Sequence, residues 1–279
     1  MEPETTLYSF PGSLCSQKVR LALSEKHVPY ENRFVDIELR LENYEPWYLR
    51  LNPNAVVPTL VHGDRVVTNS AHIIRYIDEA FEGHRLIPES TYERECMERW
   101  IEQQDDLQMR ELSYASFKGA LGFVLRRISM PLRMSRLRKL RDANADLANL
   151  YEAKIEDVRQ WRASLANRPE IAEIRTDLEN VLRSVEEQLG TTRYLAGDTY
   201  SLADVAWTCV LARLTMLGLA GSLWGEGRLP RVQAYYEQLR ARPSFISADV
   251  WEATPSLEAK RAFLKSVITG WMGPGPRAA

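Results

Sequence analysis

The chain has 279 residues, 45% of them hydrophobic, enough to bury a sizeable core and long for one compact domain, so two domains are expected. A formal net charge of -2 excludes an overall basic field for nucleic acid or an anionic membrane surface. No stretch approaches the roughly 18 continuous apolar residues of a membrane span, and the acidic start MEPETT is not laid out as a secretion signal. Cys15, Cys96 and Cys209 stand far apart with no CxxC spacing, which argues against a disulfide framework or a zinc site and suits free thiols in the cytoplasm.

In chain order, TTLYSF predicts a short strand, and Cys15 to Lys26 carries Val19, Ala22 and Leu23 at helical spacing. YENRFVDI predicts a second strand, followed by an irregular stretch with Pro46 and Pro53. PTLV and RVV are two further strands around a His62, Gly63, Asp64 turn, and Ser70 to Phe81 is a helix with Ile73, Ile74, Ile77, Ala80 and Phe81 on one face. The order βαβ, linker, ββα is a thioredoxin-like pattern. The stretch EGHRLIPES, with Gly83 and Pro88, reads as a linker, and from Tyr92 onward strand signals give way to helical ones, broken at proline and glycine. The expected domains are therefore 4–83, α/β, and 91–272, all-α, with a frayed end at GPGPRAA.

Chemistry is concentrated at two places in the first domain. Pro58 interrupts a strand-like run, which puts it where the chain turns into an edge strand, with a cis bond before it as one option, and leaves the backbone of Val57 open to pair with an extended peptide ligand. Asn69 and Ser70 begin the following helix, whose N-terminal N–H groups suit a carboxylate. The second place is the start of the first helix, where Ser13, Cys15 and Ser16 cluster. Ser16, or Ser13 if the helix begins earlier, suits the cap, whereas cysteine caps poorly and belongs at a helix N-terminus when its thiolate is wanted. Lys18 and Arg20 are near enough in sequence to add positive charge unless helical spacing turns them away. Cys96 and Cys209 read as small buried hydrophobes.

The segments VVPTL, TNS and YLAGDTYSLADV resemble the glutathione transferase pattern over nearly the whole chain. Within that family, S-x-C-S and VVPTL…VVTNS resemble the tetrachlorohydroquinone dehalogenase type, while ADLANLYEAKI and LARLTMLGLAGSLWGEGRLPRVQAYYEQLRARPSF also resemble the ganglioside-induced differentiation-associated proteins, which lack the cysteine. The resemblance implies a thioredoxin-like domain that binds glutathione and an all-α domain that shapes a second-substrate pocket. By it, Val57 pairs with the cysteinyl backbone of glutathione, Pro58 is a cis-proline, Asn69 and Ser70 hold the γ-glutamyl end, and Ser16 and Arg40 join the binding set. The family usually has Glu or Gln where this chain has Asn69, which implies a lost or shortened contact to the glutathione amine. Cys15 is then the catalytic thiol, and Ser13 holds the glutathione sulfur.

Other features read as structural. Ser201 to Asp204 fits a capping box for a central helix. Arg126 to Arg141 holds seven basic residues and no acid, which suggests a solvated basic face on a mobile segment between helices. Tyr114, Phe117, Phe123 and Trp207 are candidates for an aromatic pocket or for core. The function expected is a cytoplasmic, homodimeric glutathione transferase of cysteine type. It performs thiol transfer to, or reductive dehalogenation of, a small hydrophobic aromatic or quinonoid electrophile. The alternatives are a serine-type conjugating transferase and a non-catalytic binding or scaffold protein.

Overall fold

The computed structural model describes residues 4–253; the GPGPRAA end and the last part of the expected second domain lie outside them. Strands β1 (Thr5–Ser9), β2 (Glu31–Phe34), β3 (Thr59–His62) and β4 (Arg65–Thr68) form a sheet in the order β2-β1-β3-β4. β1 and β2 run parallel, as a βαβ crossover requires, and the other pairs are antiparallel. His62 pairs with Arg65 across the Gly63–Asp64 turn, where Gly63 takes a left-handed φ of 56° at no steric cost.

Helix α1 (Leu14–Glu25) joins β1 to β2, and α3 (Ser70–Ala80) follows β4. Leu7 and Leu60, opposite each other in the sheet, are fully buried beneath Val19, Leu23, Ile73, Ile74 and Ile77 of these helices. The irregular stretch between β2 and β3 contains a 3-10 turn at Glu42–Tyr44 and a short α2 (Pro46–Leu51), with Pro46 at its first position, where its missing N–H goes unneeded. This is the thioredoxin-like arrangement expected from the sequence.

From Thr91 the described chain is helical. It runs through α4 (Thr91–Asp106), α5 (Met109–Ser116), α6 (Gly119–Phe123), a π-helical stretch Val124–Ser129, α7 (Met130–Ala143), α8 (Ala148–Ala166), α9 (Arg168–Gln188), α10 (Leu202–Met216), α11 (Ala220–Leu223), α12 (Pro230–Arg240) and α13 (Pro243–Ser247). α10 is buried along almost its whole length and packs against α1 and α4. Its capping box forms as expected: Asp204 accepts from the Ser201 N–H at 2.8 Å and also from the Leu195 N–H at 3.1 Å, while burial pushes its carboxyl up from the usual range.

The basic run departs from expectation. It is helical rather than a loop, and several of its arginines have partners remote in sequence. Arg126 donates to the carbonyls of Tyr114 and Phe117, Arg133 pairs with Glu38 at 2.7 Å, and Arg136 pairs with Glu45. Arg141 pairs with Glu152 at 2.7 Å, while Arg127, Arg138 and Lys139 face solvent. The acids that neutralise Arg133 and Arg136 come from the segment after β2, so the run fastens α7 to the first domain.

Candidate active site

Where the sheet meets the helical half, a cleft of about 500 Å³ takes in the start of α1, the loop before β3, the start of α3 and the facing sides of α4, α5, α8 and α10. Ser13, Cys15, Val57, Pro58, Asn69 and Ser70 all line it, so the two regions singled out in the sequence come together. The Val57–Pro58 bond is cis.

Ser13 caps α1: its side chain accepts from the Ser16 N–H at 3.3 Å, which leaves the Ser13 hydroxyl proton free to donate. Cys15 is the second residue of the helix and is half-buried. Ser16 is fully buried, accepts from the Phe10 N–H at 3.3 Å and does not line the cleft. Arg40 is also absent from the cleft wall and pairs with Glu42 at 3.3 Å. Lys18 and Arg20 are turned away by helical spacing. Lys18 Nζ donates to Gln104 at 2.6 Å and Asp105 at 2.9 Å, and Arg20 donates to the carbonyls of Ala248 and Asp249.

Asn69 is the N-cap of α3 at a left-handed φ of 67°, and its Oδ1 accepts from the N–H of Ala71 at 2.9 Å and of His72 at 3.3 Å. Its side chain is therefore committed to the helix that it begins. Ser70, the first helical residue, is 7% exposed.

The other two thiols behave as packing groups. Cys96 Sγ donates to the Leu195 carbonyl at 3.4 Å, and burial pushes Cys209 up to about 12. Trp207 is also core, with its Nε1 donating to the Trp100 carbonyl at 2.9 Å. Phe123 is exposed, and neither it nor Phe117 lines the cleft.

The far wall of the cleft is built by Met109, Ser113 and Tyr114 from α5 and by Val158 and Trp161 from α8. The Tyr114 hydroxyl donates to Glu38, and burial together with that carboxylate holds its phenol well above the ordinary range, so it stays protonated. Trp161 packs edge-on against Tyr114 with centroids 4.6 Å apart, and Arg110 lies over its ring at 4.8 Å. Ser113 Oγ and Trp161 Nε1 are buried and have no hydrogen-bond partner among the described residues. Sequence reasoning missed Ser113 and Trp161: Trp161 sits in an ordinary amphipathic helix, and no local signal distinguishes a cleft position from a core one.

Residues 7–85 match the family described as glutathione S-transferase, N-terminal domain, and residues 168–238 match glutathione S-transferase, C-terminal domain. The chain is 35% identical to tetrachloro-P-hydroquinone reductive dehalogenase of Sphingobium chlorophenolicum, over 89% of this chain and 96% of that one. It is 29% identical to glutathione S-transferase TCHQD of Arabidopsis thaliana, over 86% and 87% of the two chains. Among solved structures, the beta-etherase LigF from Sphingobium sp. strain SYK-6 superposes with a TM-score of 0.70 at 23% identity, covering 88% of this chain and 98% of that one.

Proposed function

This chain belongs to the glutathione S-transferase family and is an enzyme that uses glutathione as co-substrate; from that premise we propose that it works through Cys15 on an aromatic or quinonoid electrophile. What supports this reading is that Cys15, at the second position of α1, lines the same cleft as Ser13, Val57, Pro58, Asn69 and Ser70.

In this reading glutathione lies along the first domain, paired through the Val57 backbone and held at its γ-glutamyl end by the start of α3. The Ser13 hydroxyl donates a hydrogen bond to the glutathione sulfur and favours its thiolate. The thiolate displaces halide from the ring, forming a carbon–sulfur bond as the carbon–halogen bond breaks. Cys15 thiolate then attacks the glutathionyl sulfur, which forms a mixed disulfide and breaks the sulfur–aryl bond, and the ring carbon takes a proton. A second glutathione exchanges with the mixed disulfide, giving glutathione disulfide and free Cys15. The balance is one aryl halide and two glutathiones to one reduced ring, one glutathione disulfide and one hydrogen halide. Tyr114 and Trp161 form the aromatic wall, and Ser113 Oγ and Trp161 Nε1 are free to bond ring oxygen substituents. Ser16 and Arg40 do not line the cleft.

The reactive thiol needs a reducing compartment, so we place the enzyme in the cytoplasm. Among the described residues no helix is long and apolar enough to cross a membrane. The reading includes a homodimer, for which exposed Trp47, Val56 and Val66 of the first domain offer apolar surface.

The test is Cys15→Ser with a halogenated hydroquinone and glutathione. The variant is expected to fold, bind glutathione and release halide, but to accumulate the glutathionyl adduct in mass spectrometry. Reductive turnover at the wild-type rate would remove the thiol from the mechanism and leave Ser13-assisted conjugation.

A further inference from the structure

The ionic side chains that line the cleft are matched, with one exception. Glu38 pairs with Arg133 at 2.7 Å, Asp105 with Lys18 at 2.9 Å, and Asp157 with both Arg110 and Lys154 at 3.1 Å. Arg213, from α10, also lines the cleft and is only 7% exposed, yet among the described residues no carboxylate lies within 4.0 Å of its guanidinium. Its Nη2 donates to the carbonyl of Gly12, in the turn that leads into α1, so the guanidinium is docked three residues before Cys15. Burial pulls its pKa below the ordinary value, and Tyr114 and Cys15 are the foremost of the groups that oppose this. The charge is therefore within electrostatic reach of both the thiol and the aromatic wall.

A guanidinium taken out of water without a counter-charge is costly unless an anion completes it in the working state. The carbonyl of Gly12 satisfies one donor but supplies no charge. In the proposed reading glutathione lies along the first domain, its cysteinyl backbone at Val57 and its γ-glutamyl end at the start of α3, elements other than α10. The Cys15 thiolate acts on the same charge but is consumed when it bonds sulfur, and Glu38 is already paired with Arg133, so the second substrate is the source of an anion that remains. We infer that Arg213 is the anion-holding residue of the cleft and that the electrophile taken beside Cys15 carries a negative charge, a carboxylate or phenolate, close to its reacting carbon. This rests on Cys15 being the reactive thiol.

Alkylation of Cys15 tests the inference without turnover, because Cys96 and Cys209 are buried and leave Cys15 as the accessible thiol among the described cysteines. Rates are measured with iodoacetate, an anion, and iodoacetamide, its neutral analogue, for wild type, Arg213→Gln and Arg213→Lys. Wild type is expected to prefer iodoacetate more than free glutathione does. Arg213→Gln, which keeps a donor for Gly12, is expected to lower the iodoacetate-to-iodoacetamide ratio about tenfold, and Arg213→Lys to restore much of it. Should Arg213→Gln fail to fold, the wild-type ratio falling as salt is raised to about 0.5 M carries the same information. An equal ratio in wild type and Arg213→Gln, a fall of both rates by one factor, or a wild-type ratio indifferent to salt would overturn the inference. Failure of the cysteine mechanism shows instead as unimpaired turnover in Cys15→Ser, a separate measurement.

Discussion

The Glu38 carboxylate and the Arg133 guanidinium meet at 2.7 Å across the junction between the segment after β2 and α7, with 16% and 4% of the side chains exposed. Tyr114 and Ser129 also donate to Glu38, and Arg133 lies over the Trp161 ring at 5.4 Å. The pair thus fixes the rim of the cleft on which the aromatic wall stands.

Removing one partner leaves a buried charge without its match. Glu38→Gln is expected to lower stability by about 3–5 kcal/mol, read as a shift in the urea midpoint at constant slope, because Arg133 then lacks a counter-charge. A midpoint equal to that of wild type would mean that water solvates the arginine.

Asn69 caps α3, and the proposed reading gives Ser70 beside it to glutathione. Ser70→Ala is expected to weaken glutathione binding by about 1.5–3 kcal/mol in calorimetry, the loss of a hydrogen bond to a charged group. Asn69→Glu is expected to cost about 1 kcal/mol of stability, since the cap to Ala71 and His72 is lost and a left-handed φ suits asparagine better than glutamate. A more stable Asn69→Glu protein would show that the cap contributes nothing.

Ser13 caps α1 and, in the proposed reading, also serves the glutathione sulfur. Ser13→Ala is expected to cost about 1 kcal/mol from the lost cap of α1 and to slow the conjugation step, while Ser13→Thr keeps the cap and a hydroxyl. Stopped-flow formation of the glutathionyl adduct separates the effects: equal rates in Ser13→Ala and wild type would confine Ser13 to capping.

The order of elements in the first domain was legible because each depends on local signals: period-two runs, the Gly63–Asp64 turn, and serine or asparagine before a helix. For the same reason Ser13, Cys15, Val57, Pro58, Asn69 and Ser70 could be grouped, and they do share one cleft. Arg133, Arg213 and Trp161 were not legible as site residues. Their surroundings are supplied by Glu38, Gly12 and Tyr114, remote in sequence, and a single sequence carries no trace of such pairings. Ser16, expected in the binding set, does not line the cleft: Ser13 takes the cap, and Ser16 accepts from the Phe10 N–H.

One acidic pH response follows from Glu25. Its carboxylate accepts from Arg242 at 2.8 and 2.7 Å and from Ser244; burial pushes its pKa up, but these bonds outweigh burial and hold it below its ordinary value of 4.5. A depressed carboxylate contributes stability that is fully present above the unfolded value and is lost as pH falls through the folded one. Arg242→Gln is therefore expected to be less stable than wild type at neutral pH by a constant margin, which narrows below about pH 4.5. Thermal melts from pH 3 to pH 7 give the margin; one that stays flat throughout would assign it to packing instead of charge.

Helix α1 is completed from the other end of the chain: Arg20 donates to the carbonyls of Ala248 at 2.8 Å and Asp249 at 2.9 Å, and Gln17 accepts from the Trp251 N–H at 3.2 Å. On a ribosome that adds about 5–20 residues per second, the 228 residues between Arg20 and Ala248 take roughly 10–45 s to appear. During that interval α1 exists without the contacts from Ala248, Asp249 and Trp251, and it gains them long after its own residues have been made. A chain stalled before Ala248 would hold Arg20 in α1 without the carbonyls of Ala248 and Asp249, so the timing of this contact is a matter of translation as well as of folding.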